Sequence, residues 1–80
     1  MHPIFALEKI PVWKAYQMNH GHLKVILNAM GTRRVECVGW SMGQHAARIQ
    51  SSRYITALVE VHPGYFAGEE IQLQIVQLSV

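Results

Sequence analysis

Aspartate is missing from this chain altogether; all five acidic side chains are glutamates, Glu8, Glu36, Glu60, Glu69 and Glu70. Phosphoesterase centres that clamp two divalent metals draw on several Asp and His converging within a few Å, and five scattered glutamates are poor material for one. Cysteine occurs once, as Cys37, so no internal disulfide can form and a reducing, cytoplasmic setting is expected. No run approaches the roughly 18–20 apolar residues of a membrane span, and the opening MHPIFALEK lacks the charged-then-apolar pattern of a signal peptide. No membrane partner is expected. Basic residues are absent from Tyr54 onward. All seven Lys and Arg lie at or before Arg53, against Glu8 and Glu36 only, a balance of +5; the remainder carries three Glu and stands at −3. Cations gathered in the first part of the chain suggest an electropositive patch, the usual footprint of a polyanion.

What is present suits one small globular domain spanning residues 1–80. Half of the 80 residues are hydrophobic and 15% are charged, which excludes a disordered tail. A fold of this size buries only about 60–65% of the surface its unfolded chain exposes, leaving little stability to spare.

Hydrophobic periodicity then orders the chain. VWKAYQM (12–18) is aromatic and β-branched enough for a strand starting just after Pro11, and Asn19–Gly21 carries turn chemistry. In HLKVILNAM, Leu23, Val25 and Leu27 share one face while His22, Lys24, Ile26 and Asn28 share the other. MGT (30–32) reads as a second hairpin turn. RRVECVGW alternates again, with Val35, Cys37 and Gly39 opposite Arg34, Glu36, Val38 and Trp40. Ser41 followed by Gln44 has capping-box spacing, and Met42, Ala46 and Ile49 recur at helical intervals, predicting a short helix over roughly 42–50. RYITALVEV is a fourth strand with Ile55, Ala57, Val59 and Val61 facing one way. HPGYFAGEE is a loop, and IQLQIVQL a fifth strand with Ile71, Leu73 and Ile75 inward and Gln72 and Gln74 outward. The order β-β-β-α-β-β is all-β with one short helix. It matches the OB-fold, a five-stranded Greek-key barrel, better than an SH3-like barrel, which lacks a helix at that point.

Three chemistries compete for the polar residues. His20 and His22 flank a glycine, but zinc needs one or two more ligands, and Cys37, His45 and His62 sit in no ligand spacing; a solvated hairpin tip explains the pair better than a metal site. Cys37 lies on an inward strand face, where cysteine behaves as a small hydrophobe, and Ser41 reads as a helix cap. No acid–base pair accompanies either, so no catalytic residue is expected. Nucleic-acid binding fares best. OB-folds present the face of strands 2 and 3 framed by the first hairpin loop and the loop between strands 4 and 5. That surface would carry His20, His22, Lys24, Arg34 and Trp40, with Tyr65 and Phe66 on the far loop: cations for phosphates and aromatic faces for bases. Trp40 has a second reading, as a side chain packed into the barrel end or beneath the helix.

Four segments in order carry a family resemblance: Pro3-Ile4-Phe5, Gly21-His22-Leu23-Lys24, Val38-Gly39-Trp40-Ser41-Met42-Gly43, and Gln72-Leu73. Together they resemble, over essentially the whole chain, the OB domain of the bacterial single-stranded-DNA-specific exonuclease RecJ. The family's loop before the last strand reads aromatic-Asn-Gly where this chain has Tyr65-Phe66-Ala67-Gly68, and its strand after the helix is more acidic. The resemblance implies a fragment of a larger 5′-to-3′ exonuclease of the DHH class, acting in repair and recombination with Mg²⁺ or Mn²⁺ in domains not contained here. The fragment itself would need no cofactor and would grip single-stranded DNA for that catalytic core. His22 and Lys24 carry over from the family's His-Leu-Lys; Arg34 joins them by strand parity. Other domains of the parent are implied partners. The alternative is a structural barrel whose outer apolar positions Ile26, Val38 and Val76 dock on neighbouring domains or on a second copy, and a weaker one is an RNA-binding barrel of the translation type.

Overall fold

The computed structural model describes residues 2–30, 33–63 and 71–79. Five strands, β1 (Ile4–Gln17), β2 (Leu23–Met30), β3 (Arg33–Gly39), β4 (Tyr54–Pro63) and β5 (Ile71–Ser79), close into a barrel in the order β1-β2-β3-β5-β4. All pairings are antiparallel except β3 with β5. A 3₁₀ turn over Gly43–His45 leads into the one α-helix among the described residues, α1 (Ala46–Ser52), between β3 and β4. This is an OB-fold barrel. Among the described residues no helix is long and apolar enough to cross a membrane. The second hairpin turn expected over MGT lies largely outside the described residues, as do residues 64–70 of the β4–β5 loop.

Period-2 alternation does most of the folding work. Leu23, Val25 and Leu27 of β2, Cys37 of β3, Ile55, Ala57 and Val59 of β4 and Ile75 of β5 all point into one buried cluster. Ala46 and Ile49 of α1 complete that cluster. Each Leu, Ile or Val fully removed from water contributes about 1.5–3 kcal/mol. The helix also docks through a polar link: Gln50 Oε1 accepts the Ala15 N–H at 2.8 Å.

β1 is twice the length the sequence suggests, and Pro11 lies inside it. The strand serves two partners in succession. Ile4–Leu7 and Ile10–Pro11 pair with β4, and Val12–Gln17 pair with β2. Pro11 occupies the last β4 pair, opposite Tyr54, and the next N–H, that of Val12, donates to the Arg53 carbonyl at 2.9 Å. A bulge between Leu7 and Ile10, with Lys9 at φ 49°, bends the strand; the Lys9 N–H released there donates to Thr56 Oγ1 at 3.1 Å. A second bulge lies between Val12 and Lys14.

The expected capping box does not form. Ser41 sits at φ 59°, and neither helical segment has a side-chain cap. The chain instead reverses at Trp40–Ser41, with the Met42 N–H donating to the Gly39 carbonyl, and Gly43 wedges against the first turn before α1 begins. Arg53 then ends the helix in the left-handed region, its N–H donating to the Ile49 carbonyl. Two apolar positions also differ from expectation. Ile71 is 54% exposed because it pairs with Pro63 at the end of its strand, beyond the core layer. Val38 is 5% exposed, although its parity puts it on the outer face; Lys24 and Gln74 stand on either side of it. It therefore offers no docking surface of the kind its parity suggested.

Candidate nucleic-acid interface

The first turn sets the geometry. His20 (φ 67°) and Gly21 (φ 76°) both adopt left-handed backbone, and the Met18 N–H closes the loop on the His22 carbonyl at 2.7 Å. Glycine takes this conformation freely; His20 takes it at a cost, at an exposed tip. His22 then turns inward across the loop. Its Nδ1 accepts the Ser41 N–H at 2.9 Å, and its ring meets Trp40 edge-on at 5.0 Å and 89°. Accepting at Nδ1 leaves the ring proton of neutral His22 on Nε2. His22 is a bracket between the β1–β2 turn and the turn after β3. It holds Trp40 upright and 47% exposed, which resolves the two readings of that side chain in favour of a solvent-facing ring.

From Trp40 an open groove of about 660 Å³ runs over the outer barrel surface, lined by Tyr16, His22, Lys24, Val38, Trp40 and Gln72 together with Gln17, Met18 and Asn19 at the first turn. One ladder row accounts for much of it: Tyr16 pairs with Lys24, Lys24 with Val38, and Val38 with Gln74. Val38 is the apolar floor. Tyr16 is 38% exposed, with the Lys14 ammonium 5.4 Å from its ring centroid. Lys24 lies along the floor with its Nζ 2.6 Å from Glu36 Oε1. Beneath it, burial pushes the Cys37 thiol up to about 12, opposed only in part by the Lys24 charge, so Cys37 stays a neutral core side chain. Gln74 Nε2 donates to Gln72 Oε1 at 2.9 Å, turning Gln72 into the groove wall.

The structure thus brings together three of the residues expected at the site: His22, Lys24 and Trp40. His20 stays at the loop tip, its ring centroid 6.5 Å from that of His22. Among the described residues no three His, Cys, Asp or Glu side chains converge as metal ligands. Arg34 lies at the other end of β3, its guanidinium carbon 3.8 Å from the Trp13 ring centroid. Tyr65 and Phe66 fall outside the described residues. Sequence reasoning missed Tyr16 and Gln72. Tyr16 was legible: Ala15 has to face the core opposite Val25, so its neighbour faces out beside Lys24.

A family model described as RecJ OB domain matches residues 1–77. No curated protein and no solved structure matches the chain.

Proposed function

The chain belongs to the RecJ OB domain family, and from that premise we propose that it is the single-stranded-DNA-gripping module of a RecJ-type 5′-to-3′ exonuclease. The observation that carries the reading is the groove with Tyr16 on one side and Trp40 on the other, a hydrophobic floor at Val38, and the Lys24 ammonium within it. Exposed aromatic rings stack on bases of any sequence, and cations meet the backbone between them. The module contributes binding; Mg²⁺ or Mn²⁺ and bond cleavage belong to other domains of the parent, in DNA repair and recombination. A cytoplasmic setting follows from the same reading and from the unpaired thiol of Cys37.

A second reading has its own observation. Ile4, Leu58 and Val76 are exposed large apolar side chains, and Ala6 pairs with Leu58 on the β1–β4 surface away from the groove. That surface suits contact with other domains of the parent, or with a second copy of the isolated fragment, and it is compatible with DNA on the groove.

Fluorescence anisotropy with labelled single strands and duplexes tests the first reading. Single strands should bind, duplexes far more weakly, and Trp40→Ala should cost about 1–3 kcal/mol of affinity. Equal affinity for duplex, or an unchanged constant in both Trp40→Ala and Tyr16→Ala, would remove the groove as the binding site. Sedimentation of the fragment without DNA tests the second reading, for which a dimer lost in Leu58→Glu is the expected result.

A further inference from the structure

Val38 is the β3 residue that lines the groove, yet the same outer face continues along β2 and β3 to a second aromatic cluster. There the bulge between Val12 and Lys14 inserts Trp13 as an extra residue opposite β2. Strict alternation from Val12 would drive Lys14 inward and Ala15 outward. The bulge reverses this: Trp13 and Lys14 are both exposed, and Ala15 returns to the core. Trp13 is 45% exposed, and the Arg34 guanidinium lies over its ring at 3.8 Å. Among the described residues no carboxylate pairs with Arg34. An indole backed by a guanidinium plane presents a flat cationic surface, on which a base can stack while the charge reaches a phosphate.

We infer that Trp13 and Arg34 form a second stacking platform for the same single strand, which runs lengthwise along β3 from Trp40 to Trp13 instead of around the barrel toward β5 and β4. This rests on the groove being a single-strand site. Charge decides the direction. The lengthwise path passes Lys24, Lys14 and Arg34, and its one carboxylate, Glu36, is already bound to Lys24. The circumferential path passes Gln72 and Gln74 to Glu60 and His62, with no Lys or Arg on β4 or β5 at all. His62 there is held by Glu60 at 2.6 Å and stacked on His2 at 3.8 Å. Six residue steps, along β3 and one beyond it, lead from Arg34 to Trp40, about 20 Å at roughly 3.3 Å per residue, a span within the site sizes of about 4–16 nucleotides found for OB barrels.

The chain contains two tryptophans, so each can report separately. Trp13→Phe leaves only Trp40 emission, and Trp40→Phe leaves only Trp13 emission. Both variants are titrated with oligothymidylates of about two, eight and twelve nucleotides, the shortest too short for the span and the others within OB site sizes, with anisotropy followed in parallel. The shortest oligomer should quench Trp40 and leave Trp13 unchanged, while the longer ones quench both. Arg34→Gln should lower affinity for the longest oligomer about tenfold, the equivalent of about one lost stacking contact, and leave the shortest unaffected. Trp13 emission unmoved at saturation with the longest oligomer, with Trp40 quenched, would overturn the lengthwise path and leave the groove standing. No binding by the unaltered protein at low salt would overturn both.

Discussion

Glu36 is the side chain that sets how strongly this face can hold an anion. It projects from β3 onto the same outer surface as Lys24 and Arg34 and is about half exposed, with its carboxylate on the Lys24 ammonium. A phosphate approaching Lys24 must displace that carboxylate and tolerate its charge nearby. Glu36→Gln should therefore raise single-strand affinity about three- to tenfold at low ionic strength, with the gain shrinking as salt screens it. Because the pair is partly solvated, thermal stability should change by less than about 1 kcal/mol. Unchanged affinity, measured by anisotropy beside the unaltered protein, would mean that Lys24 makes no backbone contact. At this scale parity read from the sequence put Lys24 and Trp40 on the outer face of the barrel, where the structure has them, because residue type and alternation decide a strand face. It gave no sign of the bracing role of His22: nothing in a sequence announces that one imidazole nitrogen will accept the Ser41 amide.

The elements meet most tightly where the first turn touches the segment before α1. A Cβ on Gly43 would lie 2.7 Å from the Gly21 carbonyl oxygen and 2.7 Å from Gln17 Cγ. One of those neighbours is backbone and cannot swing aside. Gly43→Ala should destabilise the fold by about 1–3 kcal/mol, lowering Tm by about 4–8 °C per kcal/mol in a domain of this size. It should also loosen Trp40, since the same displacement separates His22 from Ser41; thermal circular dichroism and Trp40 emission in Trp13→Phe measure the two effects. A Tm within 1 °C of the parent would show that the two loops part without cost. β2, β3 and β4 were readable because each keeps its period of 2 through the part that builds the core, and β5 keeps it from Leu73 to Ile75 before a shift at Val76 brings Leu78 against the core. β1 was not, because two bulges shift its phase and Pro11 imitates a strand boundary. The helix was placed within a few residues by Met42, Ala46 and Ile49, but its cap was misread: Ser41 spends its conformation on the chain reversal that positions Trp40.

Barrel closure converts a one-dimensional charge pattern into two sides of a molecule. β1, β2, β3, α1 and the helix-capping Arg53 hold every Lys and Arg, while β4 and β5 carry none, and the order β1-β2-β3-β5-β4 keeps the two cation-free strands adjacent. The sequence foretold a basic patch; only the topology shows which cations share a face. Lys14, Lys24 and Arg34 lie on the outer β1–β2–β3 surface, whereas Lys9 is at the first bulge, its N–H on Thr56 of β4, and Arg53 caps the helix with its carbonyl on the Val12 N–H. Counterion release makes this distinction measurable. Each phosphate neutralised on a single strand contributes about −0.7 to the slope of log affinity against log salt, so three cations predict a slope of about −2. A strand contacting all seven cations would give about −5. Anisotropy titrations between about 50 and 200 mM salt separate the two values, since affinity falls about 20-fold in the first case and about 1,000-fold in the second. Lys24→Gln and Arg34→Gln should each flatten the slope by about 0.7, and Arg53→Gln should leave it unchanged. A steep slope that responds to Arg53 would move the strand off the β1–β2–β3 face and onto the helix side of the barrel.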